Sequence, residues 1–416
     1  MKITLSSKRH HYLARVSIFL IMVALIAGMV GCFNATAVYY LMISSSEGGE
    51  VTEPGEEVFS YDKGTVVNLV AEANEGCYFV NWSVNVTTIA DVEDATTTIT
   101  MNDSYFIYAI FGLEIRDWYD LDAIRDNLVG SHTLMNDLDS TTPGYEELAS
   151  PTANEGKGWQ PIIGTKNDPF TGTFDGQGYE IRDLFINRPD EGPVGLFCFT
   201  AESGIIKDIG LVNVTVTGYY YVGGLVGYNN GIVTDSYSRG NVSGIVGMVG
   251  GLVGKNTGTV SNSYSTASVS GVVNVGSLVG DNWGGTVSNS YSTGNVIGSS
   301  CVGGLVAYNN KGIVTNSYST GNVTGNEDVG GLVGRNYDGT ASNSFWDKET
   351  SGQTTSDGGT GKTTAQMKSL ATFTDTETEG LDEPWDIIAV EPSETNPSYI
   401  WNIVDGETYP FLSWQS

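Results

Sequence analysis

The hexapeptide VGGLVG begins at Val222 and again at Val249, then returns as VGSLVG at Val275, VGGLVA at Val302 and VGGLVG at Val329, in steps of 27, 26, 27 and 27 residues. A second marker keeps time with it. Ser236-Tyr237, Ser263-Tyr264, Ser290-Tyr291, Ser317-Tyr318 and Ser344-Phe345 recur every 27 residues. Asn229, Asn256, Asn282, Asn309 and Asn336 follow the hexapeptides, and Asp235, Asn262, Asn289, Asn316 and Asn343 precede the Ser-aromatic pairs. Such a period belongs to stacked repeats, because one unit of short apolar pieces between Gly and Asn turns cannot close a core alone. Stacking closes it, with each coil hydrogen-bonded to the next at about 4.8 Å. Like residues then lie above like. Leu225, Leu252, Leu278, Leu305 and Leu332 form one expected internal stack, and Val242, Val269, Val296 and Val323 another. Glycine permits tight corners and positive φ. Asparagine tolerates left-handed turns and can hydrogen-bond along a stack. The expected fold is all-β: a right-handed parallel β-helix of about 27-residue coils over residues 114–347, with Asp281 on a turn.

The tyrosine row has two readings. If exposed, Tyr237, Tyr264, Tyr291 and Tyr318 make a glycan-contact strip. If covered, they make a packing ladder, and their sharing the period of the core leucines favours the ladder. Solenoid ends need covering, or their open edges pair with other molecules. Trp118, Leu121, Ile124 and Leu128 have helical spacing and suit an N-terminal cap. Residues 348–416 read as a C-terminal cap: a short helix over 363–370, an acidic loop over 373–398, and Trp401, Tyr409, Phe411 and Trp414 packing on the last coil.

Residues 38–113 read as a compact antiparallel β module. Alternation is clear in Val66–Ala71 and Thr97–Met101, and Phe79 and Trp82 are its expected core aromatics. Ahead of it, residues 1–15 carry Lys2, Lys8, Arg9 and Arg15 without an acid, and residues 16–30 are an apolar run. That is the layout of an export signal, here residues 1–31, and the run is short for a spanning helix. Met29-Val30-Gly31-Cys32 resembles a bacterial lipobox, which implies lipidation at Cys32. Simple secretion and an uncleaved anchor are the alternatives.

The formal charge is −29, which repels nucleic acid and anionic headgroups. Cys32, Cys77, Cys198 and Cys301 show no CxxC spacing, and beyond the leader only His132 remains of the three histidines. A multi-histidine zinc site cannot be assembled from it, and neither HExxH nor GxSxG occurs. Gly361-Lys362-Thr363 lacks the upstream glycine of a phosphate loop, since position 356 is serine. Asp120-x-Asp122 and Asp137-x-Asp139 lack the rest of a calcium loop. No catalytic residue, cofactor or metal is expected.

GGEV, YDKGT, Phe79-Val80-Asn81-Trp82 and the closing YAIFG resemble the bacterial repeat domain related to internalin B-repeats. That resemblance implies a β-grasp-like extracellular spacer or adhesive module. Gly224-Leu225-Val226-Gly227 and its copies resemble the GLUG repeat. The flanks, from WQPIIG and FTGTFDGQGYEIRDLFI to SFWDKETSG and WNIVDGETYPFLSWQ, are similar to those of GLUG-containing β-helices. The resemblance implies a bacterial surface protein; where such repeats occur in IgA-cleaving metallopeptidases, the chemistry lies outside them. The expected function is a non-enzymatic cell-surface scaffold or adhesin, lipid-anchored or secreted. Extracellular glycans or host and cell-surface proteins are the expected partners, with a lipid anchor for the membrane and no nucleic acid. The alternatives are a carbohydrate-binding surface protein and a polysaccharide-active β-helix enzyme. Mass spectrometry of the native protein is expected to find an acylated Cys32 at the mature N-terminus; an unacylated terminus further downstream contradicts it.

Overall fold

The structure, a computed structural model, describes residues 37–84, 88–162 and 168–415. The export segment 1–31 and Cys32 lie outside the described residues. The chain divides into two compact units. The smaller runs through Glu75 and takes in Phe79–Phe111; the larger holds Gly76–Tyr78 and Gly112–Ser416.

In the smaller unit, β1 (Val38–Ser45) lies antiparallel to β2 (Val58–Asp62) and parallel to the strand Tyr105–Ile115. This parallel pair corrects the expectation of a wholly antiparallel module. A second, antiparallel sheet joins Gly49–Glu53, Val66–Ala73 and Thr96–Thr100. Leu41, Leu69, Trp82, Ile99, Ile107 and Phe111 fill the core between them. Trp82 satisfies its indole by donating to the Asp94 carbonyl at 3.0 Å, and Phe79 packs on Trp82 and Phe111 at 5.4 and 5.8 Å.

The larger unit is a parallel β-solenoid with three faces. The first runs from Ser131–Leu134 through Thr173–Asp175 and Ile205–Lys207 to Thr340–Ser342, one short strand per coil. The second carries the Ser-Tyr pairs; Glu180–Arg182 and Phe185–Arg188 lead into two 14-residue strands, Gly210–Gly223 and Tyr237–Gly250, which later coils break into shorter pieces. The third is six-stranded: Phe197–Thr200, Val226–Asn229, Val253–Asn256, Val279–Trp283, Val306–Asn310 and Val333–Tyr337. Both expected stacks point inward. The five leucines are fully buried, and Val242, Val269, Val296 and Val323 nearly so.

The core also carries polar columns, and each satisfies itself. Asn229, Asn256, Asn282 and Asn309 each donate from Nδ2 to the Oδ1 of the asparagine one coil on, at 2.8, 2.8, 2.8 and 2.9 Å. The backbone N–H groups of Ser236, Ser263, Ser290 and Ser317 likewise donate to the next serine Oγ at 3.2 Å. Asp235, Asn262, Asn289, Asn316 and Asn343 hold φ between 47° and 49°, the left-handed turn expected of them. Repeat glycines mostly serve another need than positive φ. A Cβ on Gly251 would sit 2.1 Å from Ser265 Oγ and 2.3 Å from the Ser277 carbonyl, so only glycine lets the coils meet there.

The N-terminal cap is helical as expected. Trp118–Ala123 is capped by Asp117, continues into a tighter turn, and buries Trp118, Leu121, Ile124 and Leu128. The C-terminal region departs from expectation. The last coil is closed by residues 355–362: Gly331 N–H donates to the Thr355 carbonyl, Asp357 N–H to the Val333 carbonyl, and Thr360–Lys362 pairs with Phe345–Asp347. The terminal aromatics turn back along the second face instead. Trp414 lies over Tyr237 and Tyr264, Trp401 over Tyr291 and Tyr318, and Tyr409 over Tyr318. The reason is area: a stack of rings offers more apolar surface than one coil end. Segment 373–398 is not only loop either, since Leu381, Trp385 and Ile387 are buried in that layer.

Replacing Asn282 with Ala interrupts the internal ladder and leaves Asn309 Oδ1 without its donor. A loss of roughly 2–4 kcal/mol of unfolding free energy is expected in urea titration. Loss below about 0.5 kcal/mol contradicts a ladder that carries stability.

Candidate functional site

The second face does not offer the tyrosine row to solvent. Tyr237, Tyr264, Tyr291 and Tyr318 stack at centroid distances of 4.7, 4.8 and 5.0 Å with planes within 9°. Tyr264, Tyr291 and Tyr318 are buried, and Tyr237 is partly so. Their hydroxyls are engaged. Tyr237 donates to Glu180, Tyr318 to the Pro410 carbonyl, Tyr264 accepts from Arg239, and Tyr291 accepts from Gln415. The reading of this row as a glycan-contact strip is thereby corrected: the chain's own C-terminal aromatics occupy the ring surface that a sugar would need.

The third face carries what the repeat pattern did not announce. Its outward column runs Phe199, Tyr228, Lys255, Asp281, Tyr308, Arg335, one residue per coil in strict register. Lys255 Nζ sits over Tyr221, Tyr228 and Trp283 at 5.5, 5.6 and 4.7 Å from their centroids, and 3.6 Å from Asp281 Oδ2. Asp281 is 2% exposed and lies within the strand Val279–Trp283. Its placement on a turn is therefore wrong. The neighbouring aromatic rings and the lysine stem cover it although it faces outward. Burial pushes its carboxyl up to about 6, against the pull of Lys255. Oδ1 accepts no hydrogen bond.

Beside this column is a ledge. In the coils of Asn229 and Asn256 the third-face strand stops at the core asparagine, whereas in the next three coils it runs one residue further, to Trp283, Asn310 and Tyr337. The following turns are one residue longer as well: Asn256 Nδ2 meets the carbonyl of Gly258, but Asn282, Asn309 and Asn336 reach three residues on, to Gly285, Gly312 and Gly339. Gly284, Lys311 and Asp338 take φ of 69°, 56° and 53° to make the corner. Trp283 and Tyr337 are about half exposed, and Asn310 between them is buried with Oδ1 unpartnered and Nδ2 donating to Tyr308 OH at 3.3 Å. The sequence does show the extra residue, as Asn-x-x-Gly against Asn-x-Gly, yet not that it projects side chains outward.

Other reactive groups are built in. His132 is fully buried, with Leu113 N–H donating to Nδ1 at 3.4 Å and Nε2 facing the Asn127 carbonyl at 2.7 Å; burial lowers it to about 4. Burial pushes the Cys198 thiol up to about 12. Lys362 is spent on the Glu379 carbonyl at 2.7 Å, so Gly361-Lys362-Thr363 forms no phosphate cradle. Among the described residues no three His, Cys, Asp or Glu side chains gather as a metal site.

Residues 39–112 match the divergent InlB B-repeat domain, and residues 218–243, 246–270 and 298–324 match the GLUG motif. The chain thus carries a B-repeat-type domain at residues 39–112 and GLUG repeats within its β-solenoid. It is 31% identical over 242 residues to halomucin of Haloquadratum walsbyi, a match covering 54% of this chain and 2% of halomucin. It is 36% identical over 118 residues to a protein named as a Gly-rich membrane protein of Evansella cellulosilytica, covering 27% of this chain and 13% of that one. The chain therefore spans only a small part of these relatives. A solved structure described as a candidate immunoglobulin A1 protease, from Bacteroides ovatus, superposes with a TM-score of 0.54 at 19% identity, covering 74% of this chain and 93% of that one; this likeness is one of fold.

Asp281 also sets a pH dependence. Its folded carboxyl titrates above the unfolded value of about 3.9, so the stability it contributes is complete below that value and is lost as pH rises through about 6. Relative to Asp281→Asn, the native protein is expected to lose on the order of 2 kcal/mol between pH 4 and pH 7.5 in urea titrations. A pH-independent difference between the two contradicts the assignment.

Proposed function

We propose that this protein is a non-enzymatic surface scaffold of adhesin type, exported and displayed at the cell envelope. The observation that carries this reading is the use made of the reactive side chains. His132 is locked in the core. Asp347, buried at the last coil, accepts from Thr364, Tyr409 and the N–H groups of Glu349 and Thr350, which outweigh burial and hold its carboxyl below the usual range. Neither is poised for general acid or base work. The first face presents half-buried hydroxyls at regular intervals, at Thr234, Ser261, Ser288, Thr315 and Ser342, which suits many weak contacts adding up through effective concentration. Relatives named as halomucin and as a membrane protein agree with an envelope location. Among the described residues no helix is long and apolar enough to cross a membrane; the reading places the anchor in the N-terminal segment.

Incubation with acidic and neutral glycans and with immunoglobulins, with and without zinc or calcium, is expected to release no new reducing ends and no new peptide termini. Reproducible cleavage that a point change in the repeat array abolishes overturns the scaffold reading.

A further inference from the structure

We propose that the ledge of Trp283, Asn310 and Tyr337, with Asp281 beside it, binds a neutral, hydroxyl-rich saccharide chain lying along the solenoid axis. This goes beyond the scaffold reading and does not depend on it.

Three independent features converge. The first is the pair of half-exposed rings. Trp283 and Tyr337 stand on coils two apart, with Asn310 on the coil between. Two interstrand spacings are about 9.6 Å, a separation that two linked hexose rings can span. Aromatic faces attract the C–H-rich faces of sugar rings for the same reason that they stack on bases, and such rings held on strands need little ordering on binding.

The second feature is a pair of orphaned acceptors. Asn310 Oδ1 and Asp281 Oδ1 belong to residues 5% and 2% exposed, and neither receives a hydrogen bond. A buried acceptor without a donor costs about 1–3 kcal/mol, so such groups call for a partner. A hydroxyl donor supplies it once a covering side chain shifts, whereas a carboxylate or sulfate group, which only accepts, does not. Lys255 touches both Asp281 and Trp283, which ties this acceptor to the ledge.

The third feature is charge. On a chain of formal charge −29 the surroundings of the ledge carry no excess of positive charge. Lys255, Arg335 and Lys311 stand against Asp281, Asp328, Asp338 and Asp357, with Lys255–Asp281 and Arg335–Asp328 paired at 3.6 and 3.5 Å and Asp357 accepting from Asn336 N–H at 2.7 Å. No unpaired basic cluster is left to hold a carboxylate or sulfate sugar. The longer turn that builds the ledge occurs in the three consecutive coils that supply these residues, while the two preceding coils, with the shorter turn, lack it.

Affinity electrophoresis and calorimetry on the full chain test this, with cellohexaose, xylohexaose, mannohexaose, laminarihexaose and maltohexaose, their parent polysaccharides, and polygalacturonate as the acidic comparison. At least one neutral series is expected to bind. Trp283→Ala and Tyr337→Ala are each expected to weaken it about tenfold with the fold intact by circular dichroism, and Tyr337→Ala is expected to leave thermal stability unchanged, its ring being half exposed. The equally exposed Tyr119→Ala is expected to have no effect. Binding to none of the neutral glycans, binding to polygalacturonate alone, or affinity unchanged from the native protein in both ledge variants overturns the proposal.

Discussion

The structure depends on one requirement: the asparagine and serine columns that enter the solenoid core must find partners on the next copy of themselves. Parallel coils at the interstrand spacing bring each such group to its own kind. Asparagine meets the requirement indefinitely because its amide both donates and accepts, so Asn229 through Asn336 form one continuous chain. A carboxylate in that column could only accept. The serine column uses the same logic, each backbone N–H meeting the hydroxyl one coil on. Leucine and valine fill what remains, and glycine stands where two backbones approach too closely for a Cβ.

That requirement makes the inside conservative and leaves the turns free. A residue added at a turn shifts no core column if the same coil gives one back elsewhere. The steps of the hexapeptide and of the Ser-aromatic pair differ for this reason, and the third face gains its extra outward position without disturbing the asparagine ladder. The outer columns follow weaker rules still. Lys255, Asp281 and Tyr308 occupy equivalent positions on successive coils although they share no chemistry. Asp281 stays buried and Lys255 half-buried beside it, with aromatic rings on neighbouring coils around the lysine.

Stacking creates a liability along with the core. A row of rings in register, from Tyr237 to Phe345, would be a long apolar strip if left open. The C-terminal segment meets this with Trp385, Trp401, Tyr409 and Trp414, and anchors itself polar group by polar group: Trp385 and Trp414 donate to the carbonyls of Asn343 and Asn262, and Tyr409 to Asp347. The cap is thus a side wall, while the coil end is closed by the shorter stretch just before it.

The period, the inward leucines and valines, the asparagine ladder, the left-handed turns and the N-terminal cap could all be read from the chain, because each follows from putting identical residues one coil apart. The exposure of the tyrosine row could not, since a ring in a ladder and a ring on a strip have the same spacing; only the return path of residues 385–414 decides which it is. Asp281 was misread for a related reason. Its flanks look like a turn, and its burial is made by Lys255, Trp283 and neighbouring rings that meet only across coils. Sequence alone determined what repeats, because repetition is local and additive. Which outer side chains are covered, orphaned or presented was decided by the tertiary structure, because that depends on groups 26 or more residues apart brought within one interstrand spacing.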